Sequence, residues 1–508
     1  MGAMNACSLC KRGKRKCNRG RPSCANCSRL GKTCTYSEDS LVNPAPDDSW
    51  QPRSHADSMR SVGVASINTF LGFGSMDPAS IQQSTGDLVL KIFGSWRNVL
   101  DVSTSFFTGT HQRLSAISKL RFLGELQSIT ATPKADFAAL CLAILLIEQR
   151  PETKATDMLS SFYFHVKALI NLIETVSGPS LNLLHGRSLM IFYELGHGLH
   201  TAAYISIGAC ARSARALGLD RKPWRLTDSS WDKLAREEEK RLWWAIVIMD
   251  RFVAMCNRDD VLVTKDPGPK DSLPIEDLLW SEGSTAAQIE PYINNPPLLD
   301  TSFNIAVGQM ARECQVSHLV GRVVQLVYAP TTDIKFNTET ARQLEHTLKA
   351  YLPLLSAEEL SIGEYCGAFG MCNSALFILY EFMMSPNVAM TTSSEEIMQS
   401  IEHVAATGVA FAESSYHARH EHYPPEVYSP YLPYSLCQSA AVQHRLWRQT
   451  GHMSYKHNFY SVKRIIQQFT KRWKVAWQYL DVIEALEESG SPFAPLQTLV
   501  VPPRNLNI

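Results

Sequence analysis

From Asp87 onward, apolar residues recur at helical spacing and almost nowhere alternate as they would in strands. Leu88, Ile92, Trp96 and Leu100 fall four apart, and Phe162, Val166, Leu169 and Ile173 mark a second apolar face. The run SALFILYEFMM (374–384) is apolar on every side and predicts a central, buried helix. Val462–Leu480, with Ile465, Phe469, Trp473 and Trp477, predicts one late amphipathic helix. At ordinary helix lengths residues 87–490 hold roughly 12 to 18 helices, an all-α bundle. The longest apolar run, FAALCLAILLI (137–147), is about half of what a bilayer-spanning helix needs.

The pattern changes before Asp87. Residues 36–86 contain Pro44, Pro46, Pro52 and Pro78 and no sustained heptad. They read as a flexible linker with one short sticky patch at Phe70–Phe73, and no coiled coil is predicted. Residues 1–35 form a separate head, and residues 491–508 a tail.

Charge separates the head from the rest. The chain has 508 residues and a formal net charge of zero, with 49 basic and 49 acidic side chains. Residues 1–40 hold nine Lys/Arg against two acids, which leaves 40 bases against 47 acids elsewhere. A basic head on a mildly acidic body points to a polyanionic partner for the head. MGAMNACSLCKRGKRK has no apolar core before its charges and lacks the Ser/Thr of a myristoylation signal, so the chain reads as soluble and intracellular, with no membrane partner. Cys141, Cys210, Cys256, Cys314, Cys366, Cys372 and Cys437 lie singly in mostly apolar surroundings, as reduced core thiols do.

The other six cysteines are dense. Cys7, Cys10, Cys17, Cys24, Cys27 and Cys34 follow the spacing C-x2-C-x6-C-x6-C-x2-C-x6-C, two near repeats. A C-x2-C pair at a helix start puts both sulfurs on one face, ready to grip a single soft cation. Two tetrahedral zinc ions need eight metal–sulfur bonds, and six thiolates supply eight only if two of them bridge. The compact solution is a two-metal thiolate cluster with a net charge of about −2, offset by the surrounding Lys and Arg. A disulfide knot, a thiol store, a redox pair, a phosphate loop at GKT (31–33) and a glycosylation site at NCS (26–28) all fit this segment less well.

Residues 7–34, including Pro22 just ahead of the fourth cysteine, resemble the six-cysteine binuclear zinc cluster of fungal transcription regulators. The resemblance implies two Zn²⁺ ions, with Cys7 and Cys24 bridging them. Cys10 and Cys17 would then complete one site, and Cys27 and Cys34 the other. It implies double-stranded DNA as partner, read at CGG-type triplets by a lysine four residues after the second cysteine. That residue is Lys14 here. The position before it, often basic in the family, is Gly13. Lys11, Arg12, Arg15, Lys16 and Arg19 read as phosphate contacts, whose counterion release makes affinity salt-sensitive. Part of this run also suits a nuclear import signal. One cluster reads only about three base pairs, too few for a genome, and relatives add half-sites by dimerising. Here a homodimer formed through the body and a bound monomer both stay open.

Residues 189–274 resemble the fungal-specific middle homology domain of the same regulators. The resemblance rests on Ala211–Leu219, Glu239, Arg241, Trp244, Asp250 and Arg251. Trp244, Leu242, Ile246 and Met249 are expected to pack one helix into the core, with Arg241, Asp250 and Arg251 in charge pairs around it. Where relatives carry Gly-Arg-Pro, this chain has Asn257-Arg258-Asp259.

No nucleophile elbow, HExxH or dinucleotide-binding glycine pattern marks the body as an enzyme. The His417, His420, His422 group with Cys437 and His444 downstream, and LGHGLH (195–200), read as surface and packing features. YLDVIEALEESGSPFAPLQTLV (479–500) reads as the last helix and a tail ahead of an activation surface. The combined expectation is a nuclear, non-enzymatic, sequence-specific regulator of RNA polymerase II transcription that engages the transcription machinery. Compact length and a short linker resemble regulators of fungal biosynthetic gene clusters. The alternatives are a zinc-containing interaction adaptor and a ligand-sensing helical protein without autonomous DNA binding.

Overall fold

A computed structural model of the chain describes residues 10, 16–18, 20, 23–32, 34, 78–129, 134–221, 230–281, 286–356, 365–385, 393–419 and 429–489. The chain divides into two units, Met1–Ser61 and Val62–Ile508. In the first, the described residues contain one short helix, α1 (Ala25–Arg29).

Among its described residues the second unit is mainly helical, and the only β pairing is an isolated bridge between Ser272 and Leu298. It begins with α2 (Pro78–Phe93), α3 (Trp96–Thr108), α4 (Lys119–Ser128), α5 (Ala135–Ile147), α6 (Ser161–Ser177) and α7 (Leu181–Gly196). It continues with α8 (His200–Ala216), α9 (Ser230–Asn257), α10 (Asp277–Ser281), α11 (Ala286–Asn294), α12 (Gln309–Tyr328) and α13 (Ile334–Ser356). The last five are α14 (Cys366–Met383), α15 (Ser394–Arg419), α16 (Leu432–Thr450), α17 (Met453–Phe469) and α18 (Val475–Ser489). Helix α2 starts inside the stretch 36–86 read as a linker.

Serines set several of the starts. Ser95, Ser118, Ser160 and Ser180 each accept a hydrogen bond from the backbone N–H three residues on, which satisfies a donor that the first helical turn leaves free. The apolar runs become the two central helices. Every residue of α5 except Asp136 is buried, and α5 packs on α2, α6 and α7. Helix α14 is long and apolar enough to cross a membrane, yet 94% of it is buried inside the bundle between α12, α13 and α16. A core helix enclosed on all sides needs the same composition as a membrane span.

Two expected apolar faces are corrected. The stripe Leu88–Ile92–Trp96–Leu100 is interrupted at Gly94, whose φ of +76° suits a residue without Cβ, and Ser95 then caps α3. The break resets the phase. Ile81, Thr85, Val89 and Phe93 are the buried stripe, one residue further along, and Leu100 is exposed. The single late helix expected over 462–480 is two helices, α17 and α18, separated at 470–474. Tertiary bonds outbid helix continuation there. The Arg472 guanidinium turns inward, donates to the carbonyls of Ile147 (2.5 Å) and Gln149 (3.3 Å) and to Thr110 Oγ1 (3.2 Å), and stacks on Trp473. Trp473 itself is fully buried beside Phe192 and His197, in space that Gly196 leaves open, since a Cβ at Gly196 would stand 2.1 Å from the indole. The face Phe162–Val166–Leu169–Ile173 of α6 is buried as expected.

LGHGLH is packing chemistry. His197 lies edge-on to Tyr193 and accepts from the Lys474 N–H at Nδ1 (3.3 Å), and burial, with Arg472 and Lys474 nearby, keeps it neutral. The acidic segment 479–489 lies within α18, with Tyr479, Leu480, Ile483 and Leu486 buried. The side chains of His417, His420 and His422 and residues 490–508 lie outside the described residues. Cys437 and His444 are buried on α16, His444 against Phe459 and Trp447.

Candidate metal centre

Cysteines Cys10, Cys17, Cys24, Cys27 and Cys34 come together in the first unit, with Cys10, Cys24 and Cys27 fully buried and Cys17 and Cys34 packed against them. A segment this short has no aliphatic core of its own, so sulfur occupies its interior. The thiols fall into two groups of three, Cys10–Cys17–Cys24 and Cys24–Cys27–Cys34, with the sulfurs of each group within 4.8 Å of one another. Cys24 belongs to both. Cys10 Sγ and Cys24 Sγ are 3.7 Å apart, far beyond the roughly 2.0 Å of a disulfide.

Local structure places Cys24 at this junction. It is the N-cap of α1, and its Sγ accepts from the Cys27 N–H (3.4 Å). The one-turn helix puts Cys27 on the same face. Downstream, the Lys32 N–H donates to the Cys27 carbonyl (3.1 Å) and turns the chain back, so that the Cys24 N–H donates to Cys34 Sγ (3.3 Å). Two asparagines join the halves: Asn26 Nδ2 donates to Cys10 Sγ (3.3 Å), and Asn18 Oδ1 accepts from the Ala25 N–H (2.8 Å). Thiolate sulfurs in two groups with a shared member suit soft divalent ions at tetrahedral sites, and N–H donors aimed at sulfur favour the thiolate form. Lys16 is exposed at the edge of this cluster. Cys7, Lys11, Arg12, Lys14, Arg15 and Arg19 lie outside the described residues.

The body's cysteines contrast with these. All seven are buried singly, and burial pushes the Cys210 and Cys437 thiols up to about 12, so they stay protonated.

The body has a buried charge network instead. Arg241 on α9 is fully buried and donates to Glu237 (3.1 Å), Asp277 (2.8 Å), Ser115 Oγ (3.0 Å) and the carbonyls of Ser115 (3.1 Å) and Ile275 (2.7 Å). Glu238 beside it accepts from Arg121 Nε (2.6 Å) and the Ser118 N–H (2.9 Å), and His185 Nε2 lies 3.1 Å away. Burial alone would raise the Glu238 carboxyl, but His185 and Arg121 hold it at about 2. Between two and three turns further along α9, Asp250 and Arg251 pair at 2.6 Å and both bond Thr264. Leu242, Trp244, Ile246 and Met249 are buried on the same helix, as expected, and the Trp244 indole N–H donates to the Ser272 carbonyl (3.0 Å). Helix α9 ends at Asn257, and the next residue, Arg258, takes φ +54°, in the left-handed region. Sequence reasoning identified the arginines and missed Glu237, Asp277 and Ser115. Glu237 stands four residues before Arg241, a helical spacing that could have found it, whereas Asp277 and Ser115 come from separate segments that no spacing rule links to it.

Glu313 on α12 is the network's outlier. It is buried between Gly367 and a small cleft lined by Arg113, Gln309 and Tyr431, and its Oε1 has no hydrogen-bond partner among the described residues. Burial pushes its carboxyl up to about 8 from the usual 4.5, with Asp277 adding to the shift and Arg113 opposing it. The folded state therefore binds a proton that the unfolded chain releases above pH 4.5. Its contribution to stability is present at low pH and lost as pH rises towards 8, with a slope of at most about 1.4 kcal/mol per pH unit. Glu313→Gln should flatten that dependence and raise the urea midpoint at pH 8 relative to the native chain, while changing it little at pH 5. Parallel slopes for the two proteins between pH 5 and 8 would remove Glu313 as the titrating group.

Comparison with known proteins agrees on both segments. Residues 5–41 match the fungal Zn(2)-Cys(6) binuclear cluster domain, and residues 104–309 match the fungal specific transcription factor domain. The second match extends well beyond 189–274 and takes in the end of α3, α4 through α11, and Ser115, Arg121, Glu237, Arg241 and Asp277. Transcription factor BOA15 of Botryotinia fuckeliana is 28% identical over 144 residues, 28% of this chain and 78% of that protein. The oleate activated transcription factor 3 of Kluyveromyces lactis is 62% identical over 37 residues, 7% of this chain. The sorbicillinoid biosynthetic cluster transcription factor sor3 of Hypocrea jecorina is 45% identical over 40 residues, 8% of this chain. In each of these last two the match spans only 6% of the relative's length. A six-cysteine cluster segment and the helical middle segment in one polypeptide thus match the two domains of fungal zinc cluster transcription factors, and the matches point to a transcription factor rather than to an enzyme.

Proposed function

We propose that this protein is a nuclear, sequence-specific regulator of RNA polymerase II transcription, whose head (1–35) binds two Zn²⁺ ions and reads CGG-type triplets in duplex DNA. The observation that carries the reading is the division of the cluster into two thiol groups sharing Cys24, as two metals on six thiolates require. Cys7 is the second bridging ligand. Cys10 and Cys17 complete one site, and Cys27 and Cys34 the other. Zinc supplies the folding energy of a segment with no other core. Lys14 makes the main base contact, with Lys11, Arg12, Arg15, Lys16 and Arg19 on phosphates. The linker, read as 36–86 and overlapping the start of α2 at Pro78, joins the head to the helical body (87–490). The body regulates, engages the transcription machinery and forms the homodimer if half-sites are paired. Similarity to sor3, a biosynthetic cluster regulator by name, favours a role in secondary metabolism.

Selection of the full-length protein on a random duplex pool, with zinc and again after chelation, tests this. Zinc-dependent enrichment of CGG triplets is expected, and their number and spacing report the oligomeric state. No enrichment from protein that holds two zinc ions per chain would favour the adaptor reading. Lys14→Ala should weaken specific over non-specific binding by about 1–3 kcal/mol and relax the sequence preference. Lys16→Ala should weaken both equally and lower the salt dependence of binding by about one unit. Equal effects of the two substitutions on specificity would refute this division of roles.

A further inference from the structure

The two asparagines of the head form a reciprocal pair. Asn18 follows Cys17 in the first half and reaches the second, where Oδ1 accepts the Ala25 N–H (2.8 Å) at the start of α1. Asn26 precedes Cys27 in the second half and reaches back to Cys10, its Nδ2 lying 3.3 Å from the sulfur. Chemistry fixes both orientations. A backbone N–H only donates, so Asn18 must present its oxygen. A metal-bound thiolate only accepts, so Asn26 must present its NH₂.

We infer that Asn18 and Asn26 are positioning residues of the metal cluster. Asn26 tunes the Cys10 thiolate by direct hydrogen bonding, and Asn18 locks the α1 helix start against the first half. The inference rests on the zinc reading of the six cysteines and goes beyond it, because neither residue is a ligand. A donor aimed at sulfur draws off thiolate charge, which matters in a cluster that holds six thiolates against two divalent ions. The two bonds cross between the near-repeat halves in opposite directions. The backbone bond from the Cys24 N–H to Cys34 Sγ, by contrast, stays within the second half. The fully buried Cys10 receives this side-chain amide from the opposite half.

The test uses the full-length protein loaded with Co²⁺ in place of zinc, together with competition against chelators of graded strength. Asn26→Ala should weaken metal retention roughly 10- to 100-fold, as loss of an outer-shell partner does. It should also shift the sulfur-to-cobalt charge-transfer band to longer wavelength, because an unbonded thiolate gives up its electron more easily. Asn26→Asp should do both more strongly, since it adds a negative charge at the same place. Asn18→Ala should weaken retention and leave the band where it is, because its partner is a backbone N–H. An unshifted band and native retention in both Asn26 variants would overturn the inference, as would an identical band shift in Asn18→Ala. If the unaltered protein takes up no cobalt, the zinc reading itself fails, and that outcome is visible before any variant is made.

Discussion

Replacing Cys24 with serine is expected to release both metal ions together and to abolish DNA binding while leaving the helical body folded. Cys24 is the one described thiol within 4.8 Å of both remaining pairs, Cys10–Cys17 and Cys27–Cys34. It also caps α1, and its own N–H holds Cys34. A serine keeps the cap but replaces a soft thiolate with a neutral hydroxyl, a poor zinc ligand. Structural zinc contributes about 10–16 kcal/mol to small peptide domains, so losing a shared ligand undoes folding of the head rather than trimming it. Cys34→Ser touches one group only and should leave close to one ion per chain. Elemental analysis of desalted protein, read beside the far-ultraviolet dichroism of the body, separates the two variants. Two ions retained by Cys24→Ser would show that it does not bridge.

Arg241→Ala should destabilise the helical body by about 3–5 kcal/mol, the usual consequence of removing one partner of a fully buried ion pair. Five oxygen acceptors from three segments converge on this guanidinium: Glu237, Asp277, two atoms of Ser115 and the Ile275 carbonyl. Its Cζ also lies 4.8 Å from the Trp280 ring centroid. Without it, Glu237 is left fully buried beside Lys240 and the Ile275 N–H only. Arg241→Met preserves most of the volume and should cost nearly as much, because the stranded carboxylate is the main penalty. Combining it with Glu237→Met should recover a large part of the loss. Urea denaturation followed by tryptophan fluorescence measures all three. A loss under about 1 kcal/mol for Arg241→Ala would mean that water reaches the network and screens it.

The residues differ in how visible their roles were in the sequence. The cysteine spacing implied metal binding without any fold, because ligand chemistry is local and a C-x2-C pair needs only one helical turn. The apolar face of α6 and the enclosed helix α14 were also legible, since a stripe or an all-round apolar run has few other uses. Leu88–Ile92–Trp96–Leu100 misled because periodicity is blind to a phase reset at a glycine such as Gly94. Residues 462–480 misled for another reason. Ile465, Phe469, Trp473 and Trp477 have helical spacing, but the carbonyls at the end of α5 and the gap over Gly196 offer Arg472 and Trp473 more than a continued helix does. Asn18 and Asn26 carried no signal at all, being ordinary polar residues beside ligands.

Sequence alone determined the all-helical class, the division into a cysteine-rich basic head and a helical body, the set of thiols available for metal, and the arginines worth watching. These follow from composition and short-range spacing, which a one-dimensional pattern records in full. Tertiary structure decided which thiol is shared, where helices stop, and which carboxylates Arg241 and Arg121 meet. Those outcomes depend on groups up to hundreds of residues apart competing for the same buried space and the same hydrogen-bond donors, and only the folded chain brings them within reach of one another.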